Sequence, residues 1–180
     1  MKTIIILIFL TGVTTFSQTT NYTIVPPFNK FFTEVIKTEK IDTSKAIISS
    51  DGLMFIDSRI DSDSVQIMYK FNLENRLTLK GYAFHLNGHT GKAALKKYRA
   101  HNTKIAAKFG RAELFEVIEG QPSNDQDKLW YLSKRKPLMS SYETDTFYIL
   151  STLILDVESG IYKIQTTFVS PEEWNKLRND

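Results

Sequence analysis

Residues 76–110 read RLTLKGYAFHLNGHTGKAALKKYRAHNTKIAAKFG, and the hydrophobic period changes inside them. Leu77 and Leu79, then Tyr82, Phe84 and Leu86, recur at steps of two, the spacing of a strand with one face buried. After Asn87-Gly88 the period lengthens. At about 100° per residue, Ala94, Leu95, Tyr98, Asn102, Ile105, Ala106 and Phe109 fall on one arc, which predicts a long helix over Gly91–Phe109. Thr90 is its natural N-cap and Gly110 its natural stop. A strand that leads through a short turn into a helix of this length predicts a sheet with the helix packed across it. Asn102 lies near the middle of the arc, so its amide needs partners in the interior.

Toward the N-terminus the period of two continues through AIIS (46–49), LMFIDS (53–58) and VQIMYKF (65–71), separated by turn residues at Asp51-Gly52 and in the Asp/Ser cluster at 61–64. Before them Phe28, Phe31, Phe32, Val35 and Ile36 recur at steps of three and four, predicting a helix from about Asn29 to Lys40. Toward the C-terminus, Leu114, Phe115, Val117 and Ile118 fit a strand or a short helix, and the β-branched pair favours a strand. EGQPSNDQDK (119–128) reads as a polar loop. LWYLSKR (129–135), TFYILSTLILDV (146–157) and IYKIQTTFV (161–169) read as strands, with a hairpin turn at Glu158-Ser159-Gly160. SPEEWNKLRN (170–179) predicts a closing helix, capped by Ser170, with Trp174 and Leu177 facing inward. The expected architecture is a single α+β domain over 28–180: a mainly antiparallel sheet of about seven or eight strands, one long basic helix packed on it, and short helices at both ends.

The first residues, MKTIIILIFLTGVTTFSQ, set a lysine before an apolar run and small residues at Thr15 and Ser17, the layout of a secretory signal peptide over 1–17. The run is far shorter than the about 20 residues that span a bilayer. Residues 18–27, closed by Pro26-Pro27, read as an extended tether. An exported protein, periplasmic or extracellular, is the expectation. The chain has 180 residues and no cysteine, which excludes disulfides, thiolate metal sites and a cysteine nucleophile.

Charge is segregated along the chain. Arg76, Lys80, Lys92, Lys96, Lys97, Arg99, Lys104, Lys108 and Arg111 lie in an interval without a single Asp or Glu, although the formal net charge of the whole sequence is only +3. On the predicted helix, Ala93, Ala100 and Ala107 form a flat line. Lys92, Lys96 and Arg99 flank it on one side, and Lys97, Lys104 and Lys108 on the other.

The octapeptide HLNGHTGK (85–92) invites three readings. His85 and His89 have the separation of a helical zinc site, but Asn87-Gly88 between them signals a turn and the glutamate of that motif is missing. A phosphate loop fails because Leu86 and Ala93 stand where glycine and Ser/Thr belong. An anion cradle remains: Gly88, His89, Thr90, Gly91 and Lys92 at an acid-free helix start, with a plain strand-to-helix connection as the alternative. Asp57, Asp61 and Asp63 lack the spacing of a calcium loop. Trp130 and Tyr131 beside Lys134-Arg135-Lys136 have the ingredients of single-strand nucleic-acid binding, but the export signal argues against it.

The expected role is therefore non-catalytic binding of an acidic protein, anionic glycan or lipid head group. The partner-binding residues would be Lys96, Lys97, Arg99, Ala100, Lys104, Ala107 and Lys108, with no metal and no cofactor. The competing expectation is a small extracytoplasmic hydrolase centred on His85 and His89, acting on an anionic substrate.

Overall fold

The computed structural model describes residues 24–50, 52–60, 63–118 and 124–179. The leader read over 1–17 and the tether up to residue 23 lie outside the described residues. The meander read from alternation forms β1 (Ile47–Ile48), β2 (Leu53–Ile60), β3 (Asp63–Phe71) and β4 (Leu77–Leu86). Helix α2, after the N-terminal α1 (Phe32–Glu39), spans Gly91–Phe109, the range its periodicity predicts. Its caps are the predicted ones: Thr90 accepts a hydrogen bond from the Ala93 amide, and Gly110, at φ 94°, donates its N–H to the Ala106 carbonyl. A second run of strands follows as β5 (Leu114–Val117), β6 (Leu138–Glu143), β7 (Tyr148–Asp156) and β8 (Ile161–Val169), with α3 (Asp125–Ser133) between β5 and β6 and α4 (Pro171–Asn179) last.

All eight strands form one antiparallel sheet in the order β1-β2-β3-β4-β8-β7-β6-β5. Two four-stranded meanders thus meet along β4 and β8, and α2 is the connection between them. The domain is α+β, as expected. Phe84 pairs with Ile164 and Tyr82 with Thr166 across the central seam, which places these buried side chains on the face that α2 covers. On this face α1 brings Val35, fully buried, and packs Phe32 edge-on against Phe71. The opposite face receives α4, whose Glu173 pairs with Lys70 and whose Trp174 stacks on Tyr148 at 4.7 Å.

Three expectations need correction. The first helix begins at Phe32 rather than Asn29, because Asn29 adopts φ 63° and Phe31 is drawn into a bridge with Arg76 of the sheet. Residues 125–133 are helix α3, where a loop and the strand LWYLSKR were expected. Asn124 accepts from the Asp127 amide at 2.9 Å, and Asp125 and Asp127 in the first turn complement the positive end of the helix. Lys128 and Leu132, one turn apart, are the residues it buries. In place of that strand, β6 alternates Leu138, Ser140 and Tyr142 inward, and the serine in the middle hides the hydrophobic signal. In α4 the expected inward Leu177 is half exposed, and Glu173 is buried instead.

Buried polar groups fasten α2 to the sheet. The Tyr98 hydroxyl donates to the Ser151 carbonyl at 2.8 Å and lies 3.0 Å from Ser140 Oγ. Asn102 Oδ1 accepts from the Tyr142 hydroxyl at 3.0 Å, which meets half of the need its place on the core arc created, while the buried Nδ2 has no hydrogen-bond partner among the described residues. His101 packs edge-on against Phe84, and its Nε2 lies 2.5 Å from Thr166 Oγ1. Burial, helped by the charge of Lys104, pulls its pKa down to about 3 from 6.5. The native state therefore holds a neutral imidazole while the unfolded chain takes up a proton below pH 6.5. Stability contributed by this side chain is full above pH 6.5 and falls as pH drops toward 3, by about 1.4 kcal/mol per pH unit. Urea unfolding at pH 7 and pH 5 measures this. His101→Gln is expected to show a shallower pH slope than the parent, and identical slopes would contradict the assignment.

Candidate binding groove between α2 and α3

Each residue of HLNGHTGK has a defined place. Phe84 and Leu86 are buried under α2, so His85 between them projects from the opposite face of the sheet, in register with Lys163. His89 lies in the turn, with its Nδ1 3.1 Å from the Asn87 carbonyl. His101 is sequestered in the core. The three imidazoles thus occupy three separate environments, and among the described residues no group of three or more His, Asp or Glu side chains is placed to hold a metal. Asp57 and Asp63, two of the three acids weighed for calcium, point to different partners, Gln66 and Lys97; Asp61 lies outside the described residues.

The two glycines of the cradle have structural explanations. Gly88 adopts φ 70°, a left-handed conformation that the turn requires. Gly91 is a packing glycine, since a Cβ there would lie 2.8 Å from Tyr162 Oη and 2.9 Å from Leu129 Cδ2. Its missing side chain lets the start of α2 close onto α3 and β8. Of the five cradle residues, Gly88, His89, Thr90 and Gly91 build this corner, and Lys92 opens onto a groove between α2 and α3.

The outward face of α2 carries Ala93, Ala100 and Ala107, all exposed, with Lys92, Lys96, Lys104 and Lys108 exposed around them. The acid-free stretch is nevertheless partly neutralised by carboxylates from elsewhere in the chain. Lys97 donates to Asp63 at 2.6 Å, Lys80 pairs with Glu39, and Arg76 lies 3.4 Å from Glu74. Arg99 is held twice over: Nε and Nη2 donate to the two oxygens of Glu116 at 2.6 and 2.8 Å, while Nη1 and Nη2 donate to Asp125 at 3.0 and 2.6 Å. Lys92, Lys96, Lys108 and Arg111 make no ion pair among the described residues. The positive field on this side is therefore narrower than the nine basic residues suggest, and it concentrates at the two ends of α2.

Glu116 is the residue that sequence reasoning missed. It sits in an irregularity of β5 with φ 52°, a conformation rare for a side-chain-bearing residue and costing on the order of 1–3 kcal/mol. Its side chain is 5% exposed. Besides Arg99 it accepts from Lys128 Nζ at 2.5 Å, and its backbone N–H donates to Ser140 Oγ at 3.1 Å. Burial alone would raise its pKa, but the hydrogen bonds from Arg99 and Lys128 outweigh burial and hold it below the ordinary carboxylate value. Asp125 is lowered as well, chiefly by its bonds to Arg99.

Lys92, Leu95, Lys96 and Arg99 from α2, with Asp125, Gln126 and Leu129 from α3, line a groove of about 670 Å³. Trp130, next to Leu129 in sequence, is 56% exposed, with its ring edge-on to Tyr131 and under Lys134. The only sequence signal for the α3 wall was the Asn124-x-x-Asp127 cap, which a polar-loop reading absorbs. No helix among the described residues is long and apolar enough to cross a membrane. Comparison with family models, curated proteins and solved structures finds no match to this chain.

Proposed function

We propose that this is a non-catalytic binding protein, exported through the secretory pathway, that takes an acidic segment of a protein partner on the outward face of α2. The observation that carries the reading is the exposed alanine line Ala93, Ala100 and Ala107 bordered by Lys92, Lys96, Lys104 and Lys108. Small side chains let a partner's backbone approach, and lysines on both borders meet its carboxylates. The pairs Lys97–Asp63 and Arg99–Glu116 hold the flanks in fixed positions. Export rests on the leader composition of residues 1–17.

Reversal of Lys92, Lys96, Lys104 and Lys108 to glutamate tests the proposal. Arg99 is left intact, because a glutamate there would face Glu116 and Asp125 and threaten the fold. A fluorescein-labelled hexaglutamate peptide is the probe, read by anisotropy in 20 mM and 200 mM salt, which give Debye lengths of roughly 20 Å and 7 Å. Binding is expected to weaken with salt, and the quadruple variant to lose about ten-fold or more in affinity with an unchanged far-UV circular dichroism spectrum. Equal affinity of parent and variant would overturn the reading. Binding of a sulfated glycan without any binding of the peptide would transfer the face to a different class of partner.

A further inference from the structure

We infer that Arg99 is the anchor of the groove and that Asp125 is an internal competitor, occupying the anchor until a carboxylate of the partner displaces it. The inference rests on the proposed basic-face reading and adds to it a specific subsite and a built-in brake. The two acids on Arg99 differ in kind. Glu116 is 5% exposed, is tied to Lys128, and sits on a backbone conformation that the sheet holds in place. It cannot leave without taking the close carboxylate from Lys128 and one of its two carboxylates from Arg99. Asp125 is 59% exposed at the first residue of α3, and besides Arg99 its only cationic neighbour within 4.0 Å among the described residues is Lys128, at that limit. One edge of the guanidinium is thus permanently engaged and rigid, while the other edge holds a ligand that solvent reaches.

The edge that Asp125 occupies opens on the groove where Lys92 and Lys96 stand without ion pairs among the described residues. A carboxylate entering there meets a planar bidentate fork already oriented by Glu116, together with two ammonium groups. Rigid orientation lowers the entropic cost of capture. The side chain of Leu129 supplies an apolar element of the lining, so the fitting partner is an acidic segment that also carries an apolar residue. Exposed ion pairs are weak, so the bond from Asp125 is of the strength that an incoming group can replace.

The test compares hexaglutamate affinity for the parent, Asp125→Asn and Asp127→Asn. The two variants remove the same charge from the same helix, but Asp127 is bonded to Asn124 rather than to Arg99. Asp125→Asn is expected to bind about five-fold more tightly than the parent, while Asp127→Asn changes by less than about two-fold. In the parent, the Arg99 Nε–H resonance should shift on peptide addition. Equal tightening of both variants would reduce the effect to net charge and overturn the inference. No tightening by Asp125→Asn, with parent binding still abolished by the four-lysine reversal, would overturn the inference and leave the basic-face reading standing. Parent binding that survives the four-lysine reversal, or no parent binding at all, would remove both. Inorganic phosphate that displaces the peptide at equal millimolar concentration would show a site for any small anion, and so would overturn the assignment to an acidic segment.

Discussion

Replacing Lys80 by alanine is expected to cost about 3–5 kcal/mol of unfolding free energy, a large share of what a domain of this size possesses. Lys80 lies on β4 beneath α1, with its side chain 3% exposed and paired to Glu39. Its ammonium stands 5.2 Å from the centres of both the Tyr69 and Tyr82 rings, and the Tyr69 hydroxyl donates to Glu39 at 2.7 Å. Burial pulls the Lys80 pKa down and Glu39 offsets part of that pull. Burial also pushes Tyr69 far up, with the Glu39 charge adding to it, so the phenol stays protonated and remains a donor. Alanine at 80 leaves Glu39 with one neutral partner and opens a cavity between α1 and the sheet. The paired replacement Lys80→Met with Glu39→Leu removes both charges together and is expected to be near neutral, because a buried pair gains little beyond its own desolvation cost. Urea denaturation of the two variants decides. A loss of less than about 1 kcal/mol for the single change would contradict this account of how α1 is attached.

Glu116→Ala is the second large effect, again about 3–5 kcal/mol. Lys128, whose side chain is 9% exposed, would lose its close carboxylate, and Arg99 would keep only Asp125. Glu116→Gln separates charge from shape. The native pKa of Glu116 lies below its unfolded value near 4.5, so its contribution is fully present above pH 4.5 and is lost as pH falls through the native pKa. The stability gap between parent and Glu116→Gln should therefore be constant from pH 7 to pH 5 and close in stronger acid. A gap that is unchanged down to pH 2 would mean that the carboxylate charge contributes nothing at this position.

These two clusters show what a single sequence carries and what it does not. Helix α2 was legible to its end residues because an uninterrupted 3.6-residue period is bracketed by a hydroxyl cap and a glycine. The meanders were legible wherever inward positions are apolar. They were lost at β6, where Ser140 is buried beneath Tyr98 and bonded there, so that alternation breaks although the strand does not. The α3 wall was lost because its buried positions include Lys128, a residue that periodicity counts as exposed. The basic face was legible as residues but not as a field. Glu116 lies 17 residues from Arg99 and Asp125 lies 26 away. Local periodicity reports which side of a helix is buried, whereas the pairing of a charge with a distant acid is decided by how the sheet brings the segments together.

The proposed function is tested most directly by amide NMR of the chain titrated with hexaglutamate at low salt. Shift changes confined to Lys92, Lys96, Arg99, Ala100, Lys104, Ala107 and the facing residues Gln126 and Leu129 are the predicted result. Changes that gather instead around His85 and Gln165 on the far side of the sheet, or none at millimolar peptide, would contradict it.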